Sequence, residues 1–226
     1  MTTLVGASHA LHEDDQVVPR HLFEPIVPLP AWKRSFDVFA AVVGLVVCMP
    51  LFAVLSLAIV VDSRGGPIFR QTRVGQAGKC FTCWKFRSMH RGSDQLHHRL
   101  NERNEAQGLI FKMKEDPRRT RVGKFLRKAS LDELPQLWNV LRGNMSVIGP
   151  RPPLVTEVLA YRDEEFRRLA TKPGITGLWQ VTLRGRHDFA DMVELDRRYA
   201  DELSVLMDLK ILLKTVPTVL FGRGSY

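Results

Sequence analysis

Apolar and polar positions are unevenly divided along this chain. A single uncharged apolar run extends from Val38 to Val61, with Lys33 and Arg34 before it and Arg64, Arg70 and Arg73 after it. A straight helix of about 24 residues would reach roughly 36 Å, enough to cross a hydrocarbon core of about 30 Å. Pro50, near the middle of the run, removes a backbone donor and clashes with the preceding turn, so the helix should break there. A spanning helix usually carries its basic excess on one side only. Cations at both ends therefore fit a re-entrant hairpin that enters, bends at Pro50 and returns. A single span with a proline kink is the competing reading.

Outside that run the pattern changes several times. Residues 1–32 are polar and then punctuated by Pro19, Pro25, Pro28 and Pro30, which predicts a loose, flexible tail. The hairpin occupies 33–62. Gly65-Gly66-Pro67 marks a turn, and 67–74 with 79–89 predict two strands joined around Gly75 and Gly78. A helix is predicted over 93–104, and a segment dense in Lys and Arg (112–128) leads into another. A short strand at 145–148 precedes Gly149-Pro150-Arg151-Pro152-Pro153. Helical patterns resume over 155–170, 188–202 and 205–221. In the last of these, Lys210 and Lys214 lie one turn apart on an apolar segment, which fits an interfacial helix with lysines reaching toward headgroups. A helix docked on the soluble core has the same periodicity. The predicted architecture is α+β and mostly α: a re-entrant helix-break-helix, a compact cytoplasmic catalytic domain over 63–221 with a small β-hairpin, an interfacial C-terminal helix, and a tail at 222–226.

Charge adds to this picture. The chain of 226 residues has a formal net charge of +9. Its first 30 residues are acidic, with Glu13, Asp14, Asp15 and Glu24 against Arg20, so the body is more basic than the total. A basic body below a membrane hairpin predicts anionic lipid, nucleotide or phosphorylated substrate as partner. Nucleic acid is disfavoured, because the few aromatic residues are not interleaved with the basic ones as a stacking platform requires. The apolar run is too long and too internal for a cleavable signal peptide. Neither G-x-G-x-x-G nor Walker A occurs. Three cysteines make no disulfide framework. Cys80-x-x-Cys83 with His90 and His97 downstream allows a zinc site, against the simpler reading of two small buried thiols.

The candidate chemistry lies in Ser130-Leu-Asp-Glu-Leu-Pro-Gln-Leu137. Asp132 and Glu133 are adjacent acids, with Arg127 and Lys128 upstream and Arg142 and Arg151 downstream. Ser130-x-x-Glu133 matches a capping box. Pro135 favours Asp132 as the N-cap instead, since Pro135 then falls where no intrahelical donor is required. In either case Asp132 starts a helix whose free N–H groups favour anions. A cap with a solvated first-turn acid and an anion-handling acid pair both fit this spacing.

Further segments follow in a fixed order: Lys-Phe-Arg-Ser-Met (85–89), the 130–137 segment, Gly-Pro-Arg-Pro (149–152), Lys-Pro-Gly-Ile-Thr-Gly-Leu-Trp-Gln-Val (172–181) and Asp208-Leu-Lys-Ile. Over about 33–221 the chain resembles the monotopic phosphoglycosyl transferases, the bacterial sugar transferase family. The resemblance implies an enzyme on the cytoplasmic face of the bacterial inner membrane that starts exopolysaccharide or lipopolysaccharide assembly. Its donor would be a nucleotide diphosphate sugar, expected to be a UDP-sugar, used with Mg²⁺. Its acceptor would be a polyprenol phosphate such as undecaprenyl phosphate, and homo-oligomers are open to it. The resemblance also implies Asp132 as nucleophile and metal ligand, Glu133 as its partner at the metal, and Lys85, Arg87, Arg127 and Arg151 as phosphate-binding residues. Three positions depart from the family pattern. Asn144 replaces an Asp, Met49-Pro50 replaces Ser-Pro, and Val181-Thr-Leu-Arg-Gly-Arg replaces Val-x-Gly-Arg.

Overall fold

The computed structural model describes residues 12–93, 100, 104–106, 108–111, 113–183 and 188–220. Residues 1–11, most of the helix predicted over 93–104, Lys112, the 184–186 part of the Val181 departure and the 222–226 tail lie outside them.

The apolar run breaks where its proline requires. Helix α1 (Ala31–Val47) and helix α2 (Met49–Asp62) meet at Cys48 with a bend of 62°. Pro50 falls in the first turn of α2, where a helix needs no backbone donor. Among the described residues no single helix is long and apolar enough to cross a membrane; the bent pair passes that test only together. Much of the pair's apolar surface is uncovered, including Phe39, Val46, Val47, Val54, Leu57 and Val61.

The cations at its base do not all face outward. Lys33 is only 1% exposed, and its Nζ lies 2.5 Å from Asp208 Oδ2. Arg34 donates to the carbonyls of Val140 and Leu141 at 2.7 and 2.8 Å. Arg73 is buried as well. Three of the five cations used to argue a hairpin from its flanks are thus fasteners within the fold, and Arg64 and Arg70 remain exposed. Asp37, also on α1, accepts from Ser146 Oγ and the Val147 N–H. The first two turns of α1 are therefore fixed to the body.

Two strands form the predicted hairpin, β1 (Ile68–Val74) antiparallel to β2 (Cys80–Phe86), with Phe69 opposite Lys85 and Arg73 opposite Phe81. Both hairpin edges are occupied. The edge of β2 is met by Asn139, which accepts from the Trp84 N–H at 3.0 Å and donates to the Thr82 carbonyl at 2.7 Å. The edge of β1 is met by the Pro153 carbonyl, which accepts from the Val74 N–H, and by an Arg73–Leu154 bridge. A side chain and a loop thereby satisfy backbone groups that an open edge would expose.

Helix α3 (Arg121–Lys128) starts at Thr120, whose Oγ1 accepts from the Gly123 N–H. Gly123 abuts Lys-Phe-Arg-Ser-Met: a Cβ there would lie 2.0 Å from the Ser88 carbonyl oxygen. After a 3-10 turn at Leu131–Glu133 comes helix α4 (Gln136–Arg142), closed by Gly143 at φ +88°. Strand β3 (Ser146–Ile148) pairs in parallel with β4 (Gly174–Thr176), a strand the sequence reading did not separate from its motif. At the crossing of these two loops a Cβ on Gly174 would lie 2.0 Å from the Gly149 nitrogen.

The helix predicted over 155–170 is interrupted. Helix α5 (Val155–Val158) ends after one turn, and a 3-10 segment (Asp163–Ala170) follows. The break brings Tyr161, Phe166 and Leu169 into one core cluster and lets Arg168 reach Asp196. Helices α6 (Leu178–Thr182), α7 (Phe189–Asp201) and α8 (Val205–Leu220) complete the chain. Asp208 and Ile211 dock α8 on the body, whereas Leu206, Leu209, Leu213 and Val216 stay exposed. One face of α8 is thus docked on the body, and the opposite face is apolar and uncovered.

The loose tail expected over 1–32 is corrected for 12–30. Asp14, Asp15 and Val17 exchange backbone bonds with Cys80 and Gly78, and the Val27 N–H reaches the Ala170 carbonyl. Val18 and Phe23 are buried in the core cluster that holds Val74, Cys80 and Val158. Short apolar pairs, without helical or strand period, anchor an irregular segment here. Phe23→Ala should cost about 3–5 kcal/mol of stability. Chemical denaturation in detergent measures it, and an unchanged midpoint would mean that the segment is not docked.

A buried pair, Asp116–Arg118, braces the approach to α3 through two parallel bonds of 2.9 and 2.7 Å. Burial pushes the Asp116 carboxyl up, but the hydrogen bonds and charge of Arg118 outweigh that and hold it below the usual range. The unfolded chain then binds more protons than the native one in acid. The pair's stabilisation is present in full above the ordinary Asp range and is lost as pH falls through the lowered value. Asp116→Asn should cost about 3–5 kcal/mol at neutral pH. The gap in melting temperature from the parent should close on acidification, and a gap constant down to pH 3 would contradict this account.

Candidate active site

The site is built on one face of the β-hairpin. Directly opposed residues share a face, and side chains alternate along a strand. Gln71 and Arg73 on β1 therefore point the same way as Cys83 and Lys85 on β2. Over this face lies the 3-10 turn carrying the acid pair. Lys85 Nζ donates to Glu133 Oε1 at 2.7 Å.

The local backbone there differs from the predicted cap. Neither Ser130 nor Asp132 caps α4 with its side chain, and Pro135 rather than Asp132 precedes that helix. Ser130 instead takes a left-handed conformation (φ +55°), at a cost of about 1–2 kcal/mol for a residue with a Cβ. This reversal turns the chain from α3 into the acid turn. Asp132 is drawn in to 8% exposure, while the Glu133 side chain stays 31% exposed beside Lys85.

The two carboxyls experience different surroundings. Burial pushes Asp132 above the ordinary carboxylate range; Lys85 and Arg127 pull it back, and the Glu133 charge adds to the rise. Burial acts on Glu133 too, but Lys85, Arg151 and Arg73 together outweigh it and hold Glu133 below its usual range. The two neighbouring acids are thereby driven apart, a feature that marks functional sites more often than structural ion pairs.

The cations come from three elements. Lys85 is on β2. Arg127, in the last turn of α3, is held by its Nε–H to Ser88 Oγ at 2.9 Å. Arg151 lies on the Gly149–Leu154 loop along the edge of β1, its Nη1 3.4 Å from both carboxylate oxygens of Glu157. Asp132, Glu133, Lys85, Arg127 and Arg151 are thus brought together. Arg87 is placed elsewhere: its guanidinium donates to the carbonyl and hydroxyl of Ser63, at the end of α2. It is not among the main charges acting on either acid.

Two charged residues at this site escaped sequence reasoning. Arg73 was read as a flank of the apolar run. It is buried, donates to the Pro152 carbonyl and Gln71 Oε1, and is pushed down to about 10, so it stays charged at neutral pH. Its alternation with Gln71 could have placed it on the Lys85 face once the register was known. Glu157 accepts from the Leu154 N–H at 2.8 Å. Its position three residues after Leu154, at the start of a helix, is one half of a capping box and was a usable signal.

Cys80 and Cys83 are free, buried and pushed up by burial, Cys80 to about 11. Their burial fits the reading of two small buried thiols, and His97 of the zinc reading lies outside the described residues. Among the described residues no three His, Cys, Asp or Glu side chains converge. A divalent ion at the acid pair would therefore rest on Asp132, Glu133 and substrate oxygens, a donor set that magnesium accepts. Asn144 lies in the turn after α4, its N–H on the Asn139 carbonyl.

Comparison with known proteins places this arrangement. The model of the family described as bacterial sugar transferase matches residues 29–222. The chain is 46% identical over 197 residues to the galactosyl transferase CpsE of Streptococcus agalactiae serotype III, covering 85% of this chain and 43% of that protein. It is 44% identical over 199 residues to the exopolysaccharide production protein ExoY of Rhizobium meliloti, covering 86% and 88%. It is 42% identical over 199 residues to the undecaprenyl-phosphate galactose phosphotransferase of Salmonella typhimurium, covering 86% and 41%. The chain spans less than half of the streptococcal and Salmonella relatives and most of the rhizobial one. With the match running through the acid turn, the cationic loop and both halves of the bent helix, this chain belongs to the bacterial sugar transferase family.

Proposed function

We propose that this protein transfers a sugar 1-phosphate from a nucleotide diphosphate sugar to a polyprenol phosphate, the first committed step of a surface polysaccharide. The observation that carries this reading is the acid pair, buried Asp132 beside half-buried Glu133, ringed by Lys85, Arg127, Arg151 and Arg73 and close to a bent apolar helix pair left uncovered. The Salmonella relative, an undecaprenyl-phosphate galactose phosphotransferase, supports the same chemistry.

In the first step a carboxylate oxygen of Asp132 attacks the sugar-bearing phosphorus. The bond from that phosphorus to the bridging oxygen breaks, and the nucleoside monophosphate (UMP for a UDP-sugar) leaves with the electron pair. The enzyme then holds a sugar-phosphoryl aspartate. In the second step a phosphate oxygen of the polyprenol phosphate attacks the same phosphorus and the aspartyl oxygen leaves. Asp132 is restored and the product is a polyprenyl diphosphate sugar. Neither step needs a proton, and one difficult displacement becomes two easier ones.

Burial leaves the Asp132 oxygen poorly solvated and hence a better nucleophile. Arg127 and Arg151 take charge on the transferring phosphate, and Lys85 keeps Glu133 ionised and in place. Asp132 and Glu133 would hold Mg²⁺, whose contribution is to neutralise diphosphate charge. The apolar faces of α1, α2 and α8 lie in the inner leaflet of the bacterial membrane, with both ends of the bent pair on the cytoplasmic side. A lipid-borne phosphate then reaches the site without leaving its membrane.

A panel of radiolabelled UDP-sugars with Mg²⁺ and undecaprenyl phosphate tests the reaction. Label should enter lipid and UMP should be released for at least one sugar, and silence across the panel would defeat the reading. Asp132→Asn should abolish both signals, and full turnover by that variant would remove Asp132 as nucleophile. Arg151→Ala should lose on the order of 10² in rate, about 3 kcal/mol of transition-state stabilisation. Topology is tested with single cysteines at residues 30 and 66 in a background lacking Cys48, Cys80 and Cys83. Neither should react with an impermeant thiol reagent applied to intact cells, and outside labelling of either one would replace the re-entrant hairpin with a span.

A further inference from the structure

We propose that Glu157 is the positioning residue of the site: it holds Arg151 by one edge of its guanidinium and leaves the other edge for the transferring phosphate. The inference rests on the phosphate role given to Arg151 above.

Glu157 is 4% exposed and is itself firmly held. Its Oε2 accepts from the Leu154 N–H at 2.8 Å, which ties the carboxylate to the loop that Arg151 belongs to. Arg151, by contrast, rests on it loosely. Its Nη1 is 3.4 Å from both Glu157 oxygens, well beyond the 2.7–2.9 Å of a strong charge-assisted bond. Among the described residues the Arg151 side chain makes no other hydrogen bond, and it is about one-third exposed. One edge of the fork is thus aimed by a fixed anion while the remaining N–H groups stay open.

The loop backbone beneath Arg151 leaves little other freedom. Arg168 donates to the Arg151 carbonyl, Arg73 to the Pro152 carbonyl, and the Gly149 N–H bonds Thr176. With the main chain pinned at these points, what remains to be set is the side-chain direction, and Glu157 is the anion in contact with it. A capping role alone would need only an acceptor for the Leu154 N–H. Holding Arg151 needs the negative charge.

Glu157→Gln separates the two roles, because the amide oxygen still accepts from Leu154 while the charge is gone. The experiment is a double-mutant cycle on the full chain in detergent: parent, Glu157→Gln, Arg151→Ala and the double variant. Two readouts are taken, the rate of UMP release and the affinity for UDP by calorimetry. The melting temperature of Glu157→Gln should stay near that of the parent, with turnover lower by about tenfold and UDP binding weaker by several-fold. In the Arg151→Ala background the same change should have no further effect on either readout. Equal losses in both backgrounds, or full turnover and UDP affinity in Glu157→Gln, would overturn the inference. Should Glu157→Gln fail to fold, Glu157→Asp carries the same cycle, since it keeps the charge but draws it back by one methylene. A parent inactive on every donor would defeat the proposed reaction, whereas the UDP cycle would still decide whether Glu157 acts through Arg151.

Discussion

A buried carboxyl, Asp132, with a second, half-buried one beside it, must be met by fixed positive charge, because an unpaired buried anion is far too costly to keep. Much of this fold serves that requirement. The hairpin supplies Lys85 and Arg73 from one face, helix α3 supplies Arg127 from its last turn, and the loop along β1 supplies Arg151. The three arginines are each anchored by a second group: Ser88 for Arg127, the Pro152 carbonyl for Arg73, Glu157 for Arg151. The charges are thus set in place by the fold itself, which is the condition under which electrostatic stabilisation costs no reorganisation.

The same hairpin joins the site to the apolar helices. Asn139 ties α4 to the edge of β2, and Arg34 ties α1 to the carbonyls that end α4. Arg87 binds the end of α2 at Ser63, and Asp62 accepts from the Val122 N–H at the start of α3. The α2 leg is therefore bonded to α3, which carries Arg127, and the α1 leg to α4, which follows the acid turn. A change in how that pair is seated would reach Asp132 through one helix on either side.

What could be read from the sequence was local. Pro50 announced the break, glycines announced the β-hairpin, and the acid pair stood out among cations. The features that escaped depend on partners far along the chain. Arg73 meets a carbonyl 79 residues away, and Lys33 meets an acid 175 residues away. A basic residue next to an apolar run looks like a headgroup contact until that partner is known. The predicted cap at Asp132 failed for another reason: it assumed a continuous helix start, whereas Ser130 adopts a conformation that serine seldom takes. The segment before residue 31 misled because its short apolar pairs, Val17-Val18 and Leu22-Phe23, are cut apart by proline and polar positions, with no periodicity to mark them as core.

The seating of Val18 and Phe23 bears on how this chain tolerates being shortened. Both lie before residue 29, where the family match begins. A protein trimmed to the family boundary would keep every residue of the acid site yet lose the plug beneath Val74 and Cys80. Its hairpin would be left with an opened apolar floor at the end farther from Lys85. Shortening from the front should therefore be felt first as aggregation and lost yield, before any defect in chemistry.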